Sequence, residues 1–407
     1  MSSPKHKIFN DPVYGFITLP NNLALDIIDH PWFQRLRRIR QLGMSHLVYP
    51  GALHTRFHHA MGAMHLMTQA IETLRSKGHS ISEEEAEAVT IAILLHDIGH
   101  GPFSHALENT IVEEVHHEEI SLLFMERLNQ EFKGKLDLAI KIFNNTYKKK
   151  FLHQLVSSQL DMDRLDYLNR DSFFTGVSEG VVGSERIIKM LDVVKDHLVV
   201  EEKGIYSIEK FIIARRLMYW QVYLHKTVVA AELMLINILK RAKELAMKGK
   251  KLWCTPSLEV FLYGKFNRID FDMDQSLLET FARLDDYDII SSVKAWMDGD
   301  DKILKKLCTD FINRKLYKIK LDRSAISKDV IQQQKQLAMK RFHVSEKEAD
   351  YFVCTTGLTN NAYNPKNDKI NILFKTGEVM DITEASDNLN ISALAKPVKK
   401  HVLAVIR

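Results

Sequence analysis

The sequence predicts a mainly α-helical protein with a short N-terminal β-hairpin and a small α+β lobe at its C-terminal end. Apolar residues recur at three- and four-residue spacing between about residues 21 and 316. Two short β-prone runs precede this region, and strand-like runs return after it. We therefore expect a hairpin over 1–20, a helical domain over 21–316 and a C-terminal lobe over 317–407.

The hairpin is predicted because turn-forming residues at 10–12 separate the run at 8–9 from the run at 13–17. Helical spacing follows in 60–74, 86–95 and 211–245, the last predicted as one long helix. Ser82 with three glutamates after it indicates a helix start, and Asp29 with Pro31 indicates another. In the lobe we predict a helix over 328–341 and strands over 351–355, 369–374, 378–382 and 401–406.

Composition excludes several classes of protein. The chain has 407 residues, of which 45% are hydrophobic and 27% charged, so a disordered or fibrous protein is not expected. The net charge of +4 is too small to indicate nucleic-acid binding. No apolar run approaches the roughly 20 residues that span a bilayer, no signal peptide begins the chain, and the three cysteines are scattered. We expect a cytoplasmic protein without membrane contact.

A candidate metal site begins where the apolar run 91–95 leads into His96 and Asp97. Such a pair alone is common, and a capping carboxylate beside a hydrogen-bonded histidine explains it equally well. His59 upstream and Asp163 downstream favour metal binding. Together the four residues place ligands on three helices that a bundle can bring together. Imidazole nitrogen with carboxylate oxygen suits Mn, Fe, Zn or Ni and, less comfortably, Mg.

The order and the amino-acid sequences of these motifs resemble those of a known family. The runs are IFNDP at 8–12, FQRLR at 33–37, QLG at 41–43, PGA at 50–52, RFHH at 56–59, HDIGHGPFSH at 96–105 and DMD at 161–163. They resemble HD-domain hydrolases, and more narrowly the deoxynucleoside triphosphate (dNTP) triphosphohydrolases, including the SAM-and-HD-domain type. The resemblance covers roughly the first 250 residues, and no SAM domain is expected before the hairpin.

The resemblance implies one divalent metal ion held by His59, His96, Asp97 and Asp163, and conversion of a dNTP and water to a deoxynucleoside and tripolyphosphate. It implies catalytic roles for a histidine and glutamate set: His100, His105, Glu108 and His117. His105 with Glu108 would orient water, while His100 and His117 would contact the α-phosphate. It also implies these substrate-binding residues: Gln41, Leu42, Arg56, Arg164, Tyr167, Asp171, Arg215, Tyr223 and Lys226.

Four early residues resemble those that bind an activating guanine nucleotide between subunits of the SAM-and-HD-domain relatives: Lys7, Asp29, Gln34 and Arg37. The resemblance thus implies activation by GTP or dGTP and assembly into a homodimer or homotetramer. The residues alone allow a simpler interpretation, in which Asp29 caps a helix and 34–40 is a solvated basic face.

Two other functions remain open at this point. A different HD enzyme, such as a nucleotide phosphodiesterase or monophosphatase, would keep the same metal ligands. A non-catalytic nucleotide sensor would use the same pocket but would not need the full histidine and glutamate set. The products formed from a dNTP distinguish these alternatives.

Overall fold

The structure is a computed structural model, and it describes residues 7–103, 110, 115–365, 368–388, 391, 394 and 396–407. It is mainly α-helical, as predicted. The helices are α1 Asn22–Asp29, α2 Pro31–Gln34, α3 Arg56–Ser76, α4 Glu83–Leu95, α5 His117–Glu131, α6 Asp137–Phe143, α7 Lys150–Val156, α8 Met162–Thr175, α9 Ser184–Lys189, α10 Ile205–Met218, α11 Lys226–Met247, α12 Pro256–Tyr263, α13 Arg268–Met273, α14 Gln275–Phe281, α15 Asp286–Trp296, α16 Lys302–Ile312, α17 Lys328–Phe342, α18 Glu346–Ala349 and α19 Ile382–Ala385.

The strands are β1 Ile8–Asp11, β2 Gly15–Thr18, β3 Leu191–Val194, β4 His197–Glu201, β5 Lys318–Asp322, β6 Val353–Asn360, β7 Asn371–Leu373, β8 Val379–Asp381 and β9 Val398–Val405. The predicted hairpin is confirmed, since β1 and β2 pair in antiparallel register from Ile8 with Thr18 to Asp11 with Gly15. Gly15 has a φ of 76°, which glycine adopts without steric cost.

Three helices form the centre of the fold. The long helix α3 packs against both α4 and α8, and its inner face is buried along its length. Helix α4 starts as predicted: Ser82 accepts a hydrogen bond from the Glu85 backbone, and the Glu85 carboxylate accepts one from the Ser82 backbone. Helices α3, α4 and α8 therefore pack together around one buried core.

The second predicted helix start lies one residue later than expected. Pro31 is the first residue of α2, but the capping side chain is His30, whose Nδ1 accepts the backbone N–H of Trp32 at 3.3 Å. Asp29 is instead the last residue of α1. Proline fixes the first helical residue, whereas the capping position depends on where the preceding helix ends.

The prediction of one helix over 211–245 was wrong. Helix α10 ends at Met218, a π-helical turn covers Tyr219–Tyr223, and α11 begins at Lys226 after His225 caps it. Apolar periodicity continues through the break, so the pattern alone gave no signal of it. The break turns Tyr219 and Tyr223 towards the candidate site described below.

The C-terminal region forms two small sheets. The order β5-β9-β6 is antiparallel, and β5 was not predicted. The hairpin β7–β8 was predicted, but it joins β3 and β4 of the helical region in the order β3-β4-β7-β8, with β4 and β7 parallel. The helical region and the lobe therefore share a sheet.

Among the described residues, no single helix has the length and apolar character needed to cross a bilayer. Glu202–Tyr223 and Lys226–Met247 meet that requirement only when taken together, and they are bent by 55°.

Candidate metal centre and substrate site

The four predicted ligands lie where α3, α4 and α8 converge, and donor atoms of three of them, His59, His96 and Asp163, lie within 4.8 Å of one another. His59 lies in the first turn of α3, His96 and Asp97 directly follow α4, and Asp163 lies in the first turn of α8. His59 Nε2 lies 3.1 Å from Asp163 Oδ1 and 3.3 Å from His96 Nε2. His96 Nε2 lies 3.4 Å from Asp97 Oδ1. Ligands about 2.1 Å from one ion and at right angles lie roughly 3 Å apart, which matches these separations.

The outer nitrogens of both imidazoles are already used. His59 Nδ1 lies 2.7 Å from Asp166 Oδ2, and His96 Nδ1 lies 2.6 Å from the Ile93 carbonyl, so each Nδ1 carries its proton. The two Nε2 atoms face each other and the Asp163 carboxylate, an arrangement that is favourable only when a cation, either a proton or a metal ion, lies between them. The donor set therefore fits a divalent metal ion.

The histidines and carboxylates of this cluster shift one another's pKa values. Burial alone would lower the pKa of His59, but hydrogen bonds to Asp163 and Asp166 outweigh it and raise that pKa to about 10. Burial would likewise raise the pKa of Asp163, but the two histidines hold it well below its ordinary value. The cluster thus favours positive charge among its carboxylates, as a metal site does.

His59 is held by buried charged residues to which the sequence analysis assigned no role. Asp166 is fully buried and also accepts hydrogen bonds from Arg170, through Nε at 3.0 Å and Nη2 at 3.0 Å. Arg170 in turn donates from Nη1 to Asp11 Oδ2 at 2.7 Å. The N-terminal hairpin is therefore linked to the metal ligand through three charged residues. Such partners orient the ring and raise its basicity.

Gly62 makes this arrangement possible. It lies one turn after His59 on α3, and a Cβ there would sit 2.0 Å from Asp166 Oδ1 and 2.1 Å from Arg170 Nη2. A glycine inside a long helix was the available signal in the sequence, because helices otherwise disfavour it.

The backbone after Asp97 is held by a second buried cation that the sequence analysis missed. Arg35 is fully buried and donates to the carbonyls of Leu284 at 2.8 Å, Ile98 at 3.2 Å and His100 at 2.7 Å. Burial lowers its pKa to about 9. Arg35 therefore joins the segment before α15 to the loop that carries Asp97 and His100.

The predicted catalytic histidines lie beside this loop. His100 Nε2 is 3.4 Å from Asp97 Oδ1, and the His100 and His117 rings stack with centroids 3.7 Å apart. Burial, followed by the charge of Arg56, lowers the pKa of His100 to about 3. Donor atoms of Asp97, His100 and His117 lie within 4.8 Å of one another. The other two predicted catalytic residues, His105 and Glu108, lie outside the described residues.

A cavity of about 300 Å³ lies next to the metal centre. Its lining includes Gln41, Leu42, Arg56 and Tyr223, which are four of the predicted substrate residues, together with Tyr219 from the π-helical turn. Arg56 also contacts the Asp97 carboxylate through Nη1. The Arg56 side chain therefore lies between the cavity and the predicted metal ligand Asp97.

Two further predicted residues meet at Tyr223. Its hydroxyl donates to Asp171 Oδ2 at 2.8 Å, and its ring lies 6.1 Å from the ring of Tyr167. Asp171 Oδ1 is also 2.7 Å from His54 Nε2, and His54 is buried and stacked on Phe174. Sequence reasoning did not identify His54. This network fixes the tyrosine ring at one edge of the cavity.

The predicted phosphate-binding cations Arg164, Arg215 and Lys226 differ in their burial and in their hydrogen-bond partners. Arg164 pairs with Asp161 through Nη1 and lies 3.9 Å from Asp163 Oδ2. Arg215 is only 7% exposed, and its hydrogen bond from Nη1 goes to the neutral Gln159 at 3.1 Å. The Nε of Arg215 is buried and has no hydrogen-bond partner within the described ranges. Lys226 is exposed at the first turn of α11.

The four residues predicted to bind an activating nucleotide lie close together on the surface. Lys7 Nζ lies 3.4 Å from Asp29 Oδ1, and Arg37 Nε donates to Gln34 Oε1 at 2.9 Å. The Arg37 guanidinium also stacks on Phe57, 3.5 Å from the ring centroid. Gln34 donates to the Ile28 carbonyl at 2.7 Å.

Comparison with known proteins identifies the family. Residues 56–171 match the HD domain and residues 182–253 match the HD associated region. The protein YwfO of Bacillus subtilis is 37% identical over 320 residues, which cover 77% of this chain and 71% of that protein. The chain belongs to the HD-domain family of metal-dependent phosphohydrolases. A deoxynucleoside triphosphate triphosphohydrolase SAMHD1 homolog of Dictyostelium discoideum is 30% identical over 262 residues, covering 60% of this chain and 51% of that protein.

Solved structures agree with this assignment. A phosphohydrolase from Bacteroides thetaiotaomicron VPI-5482 superposes with a TM-score of 0.96 and is 56% identical, with 99% of this chain and 100% of that chain covered. A hypothetical protein from Aquifex aeolicus gives a TM-score of 0.74 at 27% identity, with 99% of this chain and 97% of that chain covered. The resemblance drawn from the sequence motifs is confirmed at the level of the family.

Proposed function

We propose that this HD phosphohydrolase is a dNTP triphosphohydrolase that converts a dNTP and water to a deoxynucleoside and tripolyphosphate. The observation that carries the proposal is the cavity beside the metal centre. Arg56 both lines this cavity and contacts Asp97, so a nucleotide bound there would present a phosphate to Asp97 and to the neighbouring group of His59, His96 and Asp163. The SAMHD1 relatives support this substrate class.

The reaction forms a bond from the water oxygen to the α-phosphorus and breaks the bond from the α-phosphorus to the sugar 5′-oxygen, which takes up a proton. When bound, the divalent metal supplies Lewis-acid polarisation of the phosphate and acidifies water. His100, 3.4 Å from Asp97, and His117, stacked on His100, are assigned to the α-phosphate and the leaving oxygen, as the resemblance implies. His105 and Glu108, by resemblance, orient water.

The triphosphate end is assigned to Arg164, Arg215 and Lys226. Arg215 supports this most strongly, because a buried guanidinium whose hydrogen bond goes to a neutral partner is costly and a phosphate would compensate it. Arg164 has a different role beside Asp161, where it is already paired. A bound triphosphate therefore gains most from Arg215.

The sugar end is assigned to Tyr167, Asp171 and Tyr223. A tyrosine ring held by the hydrogen bond from Tyr223 to Asp171 would occupy the space that a 2′-hydroxyl requires. Gln41 and Leu42 line the same cavity and would contact the base. If the ring provides this selection, Tyr223→Phe should keep the preference for dGTP over GTP as substrate, whereas Tyr223→Ala should lose it.

We further propose that GTP or dGTP activates the enzyme at the surface formed by Lys7, Asp29, Gln34 and Arg37, in a homodimer or homotetramer. The clustering of these residues supports a single nucleotide site. Asp29→Ala should abolish any dependence on GTP while leaving Mn²⁺ binding intact. GTP dependence equal to that of the wild type would exclude this site, and light scattering with and without GTP measures assembly.

The direct test incubates the protein with Mn²⁺ and each dNTP, with and without GTP, and separates the products by chromatography. Deoxynucleoside with tripolyphosphate is the expected result, and Asp97→Ala should form neither. Monophosphate with pyrophosphate would keep the HD centre but assign a different reaction. Turnover by Asp97→Ala equal to that of the wild type would refute the metal assignment.

A further inference from the structure

A loop of the C-terminal region reaches the residue that holds Arg215. Asp368 Oδ2 accepts the backbone N–H of Gln159 at 3.2 Å, and Gln159 Oε1 accepts from Arg215 Nη1 at 3.1 Å. The second carboxylate oxygen of Asp368 accepts the backbone N–H of Lys369 at 3.0 Å, which fixes the carboxylate orientation. Two hydrogen bonds, both made by Gln159, thus connect the lobe to the buried guanidinium of Arg215.

The segment held by Asp368 also leads into the metal centre. Gln159 lies between α7 and α8, four residues before Asp163. Asp161 closes this segment by accepting from the backbone of Ser158 at 2.7 Å and of Arg164 at 2.7 Å. The segment from Gln159 to Asp163 is therefore short, and its hydrogen bonds to Asp161 connect a shift of Gln159 to the start of α8.

Other parts of the lobe are docked on α10, the helix that carries Arg215. Asn360 is fully buried and donates from Nδ2 to the Arg216 carbonyl at 3.1 Å. Ser386 Oγ donates to Glu209 Oε1 at 2.5 Å, further back on α10. The lobe therefore contacts the backbone beside Arg215 and, through Asp368, the backbone N–H of Gln159, whose side chain accepts from the Arg215 guanidinium.

We infer that Asp368 is a positioning residue for triphosphate binding, which acts through Gln159 to hold Arg215 in the orientation that meets a polyphosphate. The inference rests on the proposed function, in that Arg215 contacts the triphosphate. It assigns the lobe a part in the substrate site rather than a separate activity. Arg215 can do this because its partner Gln159 is neutral, so its charge remains available to an anion.

The test measures tripolyphosphate binding to the metal-free full-length protein by calorimetry. Asp368→Ala and Gln159→Leu should each weaken binding by about three- to ten-fold, as loss of one orienting hydrogen bond does. The double variant should bind no more than two-fold more weakly than the weaker single variant, because both act on one path. Asp368→Asn keeps a carbonyl acceptor and should recover most of the affinity.

Asp350→Ala is the matched control, since Asp350 belongs to the same lobe and its carboxylate pairs with Lys335 away from Gln159. It should bind tripolyphosphate like the wild type. Wild-type affinity in Asp368→Ala, or additive losses in the double variant, would overturn the inference.

A second substrate separates positioning from general damage. Bis(4-nitrophenyl) phosphate carries no triphosphate, so with Mn²⁺ its turnover should fall less in Asp368→Ala than tripolyphosphate affinity does. Equal losses would show a merely structural role and refute the inference. If the wild type bound no tripolyphosphate the inference would also fall, whereas release of monophosphate and pyrophosphate from a dNTP would overturn only the proposed reaction.

Discussion

Asp166→Asn tests whether the buried layer behind His59 controls metal affinity. Asp166 accepts three short hydrogen bonds, one from His59 Nδ1 and two from Arg170. The amide that replaces the carboxylate has one oxygen, so its NH₂ group must face a donor of either His59 or Arg170. The negative charge that stabilises both partners is lost as well.

The expected result is a 10- to 100-fold loss of Mn²⁺ affinity, about 1.4 to 2.7 kcal/mol, which is the usual effect of removing such a partner. Calorimetry on metal-free protein measures it, and the thermal midpoint without metal shows whether the variant is folded. Asp11→Asn should have a smaller effect, because Asp11 reaches His59 only through Arg170 and Asp166.

Asp26→Asn, an exposed substitution of the same kind, is the control and should leave Mn²⁺ binding unchanged. Mn²⁺ affinity in Asp166→Asn within two-fold of wild type would refute the reasoning, provided that Asp163→Asn, which removes a predicted ligand, abolishes binding in the same assay.

Three further predictions concern stability. Gly62→Ala should lower the free energy of unfolding by several kcal/mol in urea titrations, since the new methyl group would overlap Asp166. A loss below about 1 kcal/mol would contradict this prediction. Arg35→Met should cost about 3 to 5 kcal/mol by the same measurement, because three buried carbonyls lose their donor, and unchanged stability would show that they find others. Hydrogen bonding, chiefly from Lys248, lowers the pKa of Glu244 to about 2. Its stabilisation is therefore fully present above the ordinary pKa and lost as the pH falls towards 2, so the difference in thermal midpoint from Glu244→Gln should shrink over that interval.

The sequence predicted most of what depends on local pattern. The hairpin and the start of α4 follow from turn residues and a capping box, each contained in a few neighbouring residues. The four ligands, three of which the structure brings within 4.8 Å of one another, stay a prediction from motif order. The break at Tyr219–Tyr223 was missed because a π-helical turn keeps the apolar pattern of the helices around it. Local pattern therefore predicted the hairpin and the start of α4 but not the bend that places Tyr219 and Tyr223.

The supporting residues were missed for a different reason. Arg35 contacts carbonyls 63, 65 and 249 positions away, and Arg170 contacts Asp11 at a separation of 159. No spacing rule connects residues so far apart, and an arginine in a helix is most often an exposed one. Such contacts can be found only after the fold has brought the segments together.

These long-range contacts bear on which part of the chain makes the metal centre. The HD domain match covers residues 56–171 and includes the four ligands with Asp166 and Arg170. It excludes Asp11, Arg35 and the Leu284 carbonyl, so within that segment Arg170 would lose one carboxylate and the carbonyls of 98 and 100 would lose their donor. Because buried polar groups left without partners are costly, the ligands alone do not define the site. The geometry of the centre depends on the hairpin before it and the helices after it.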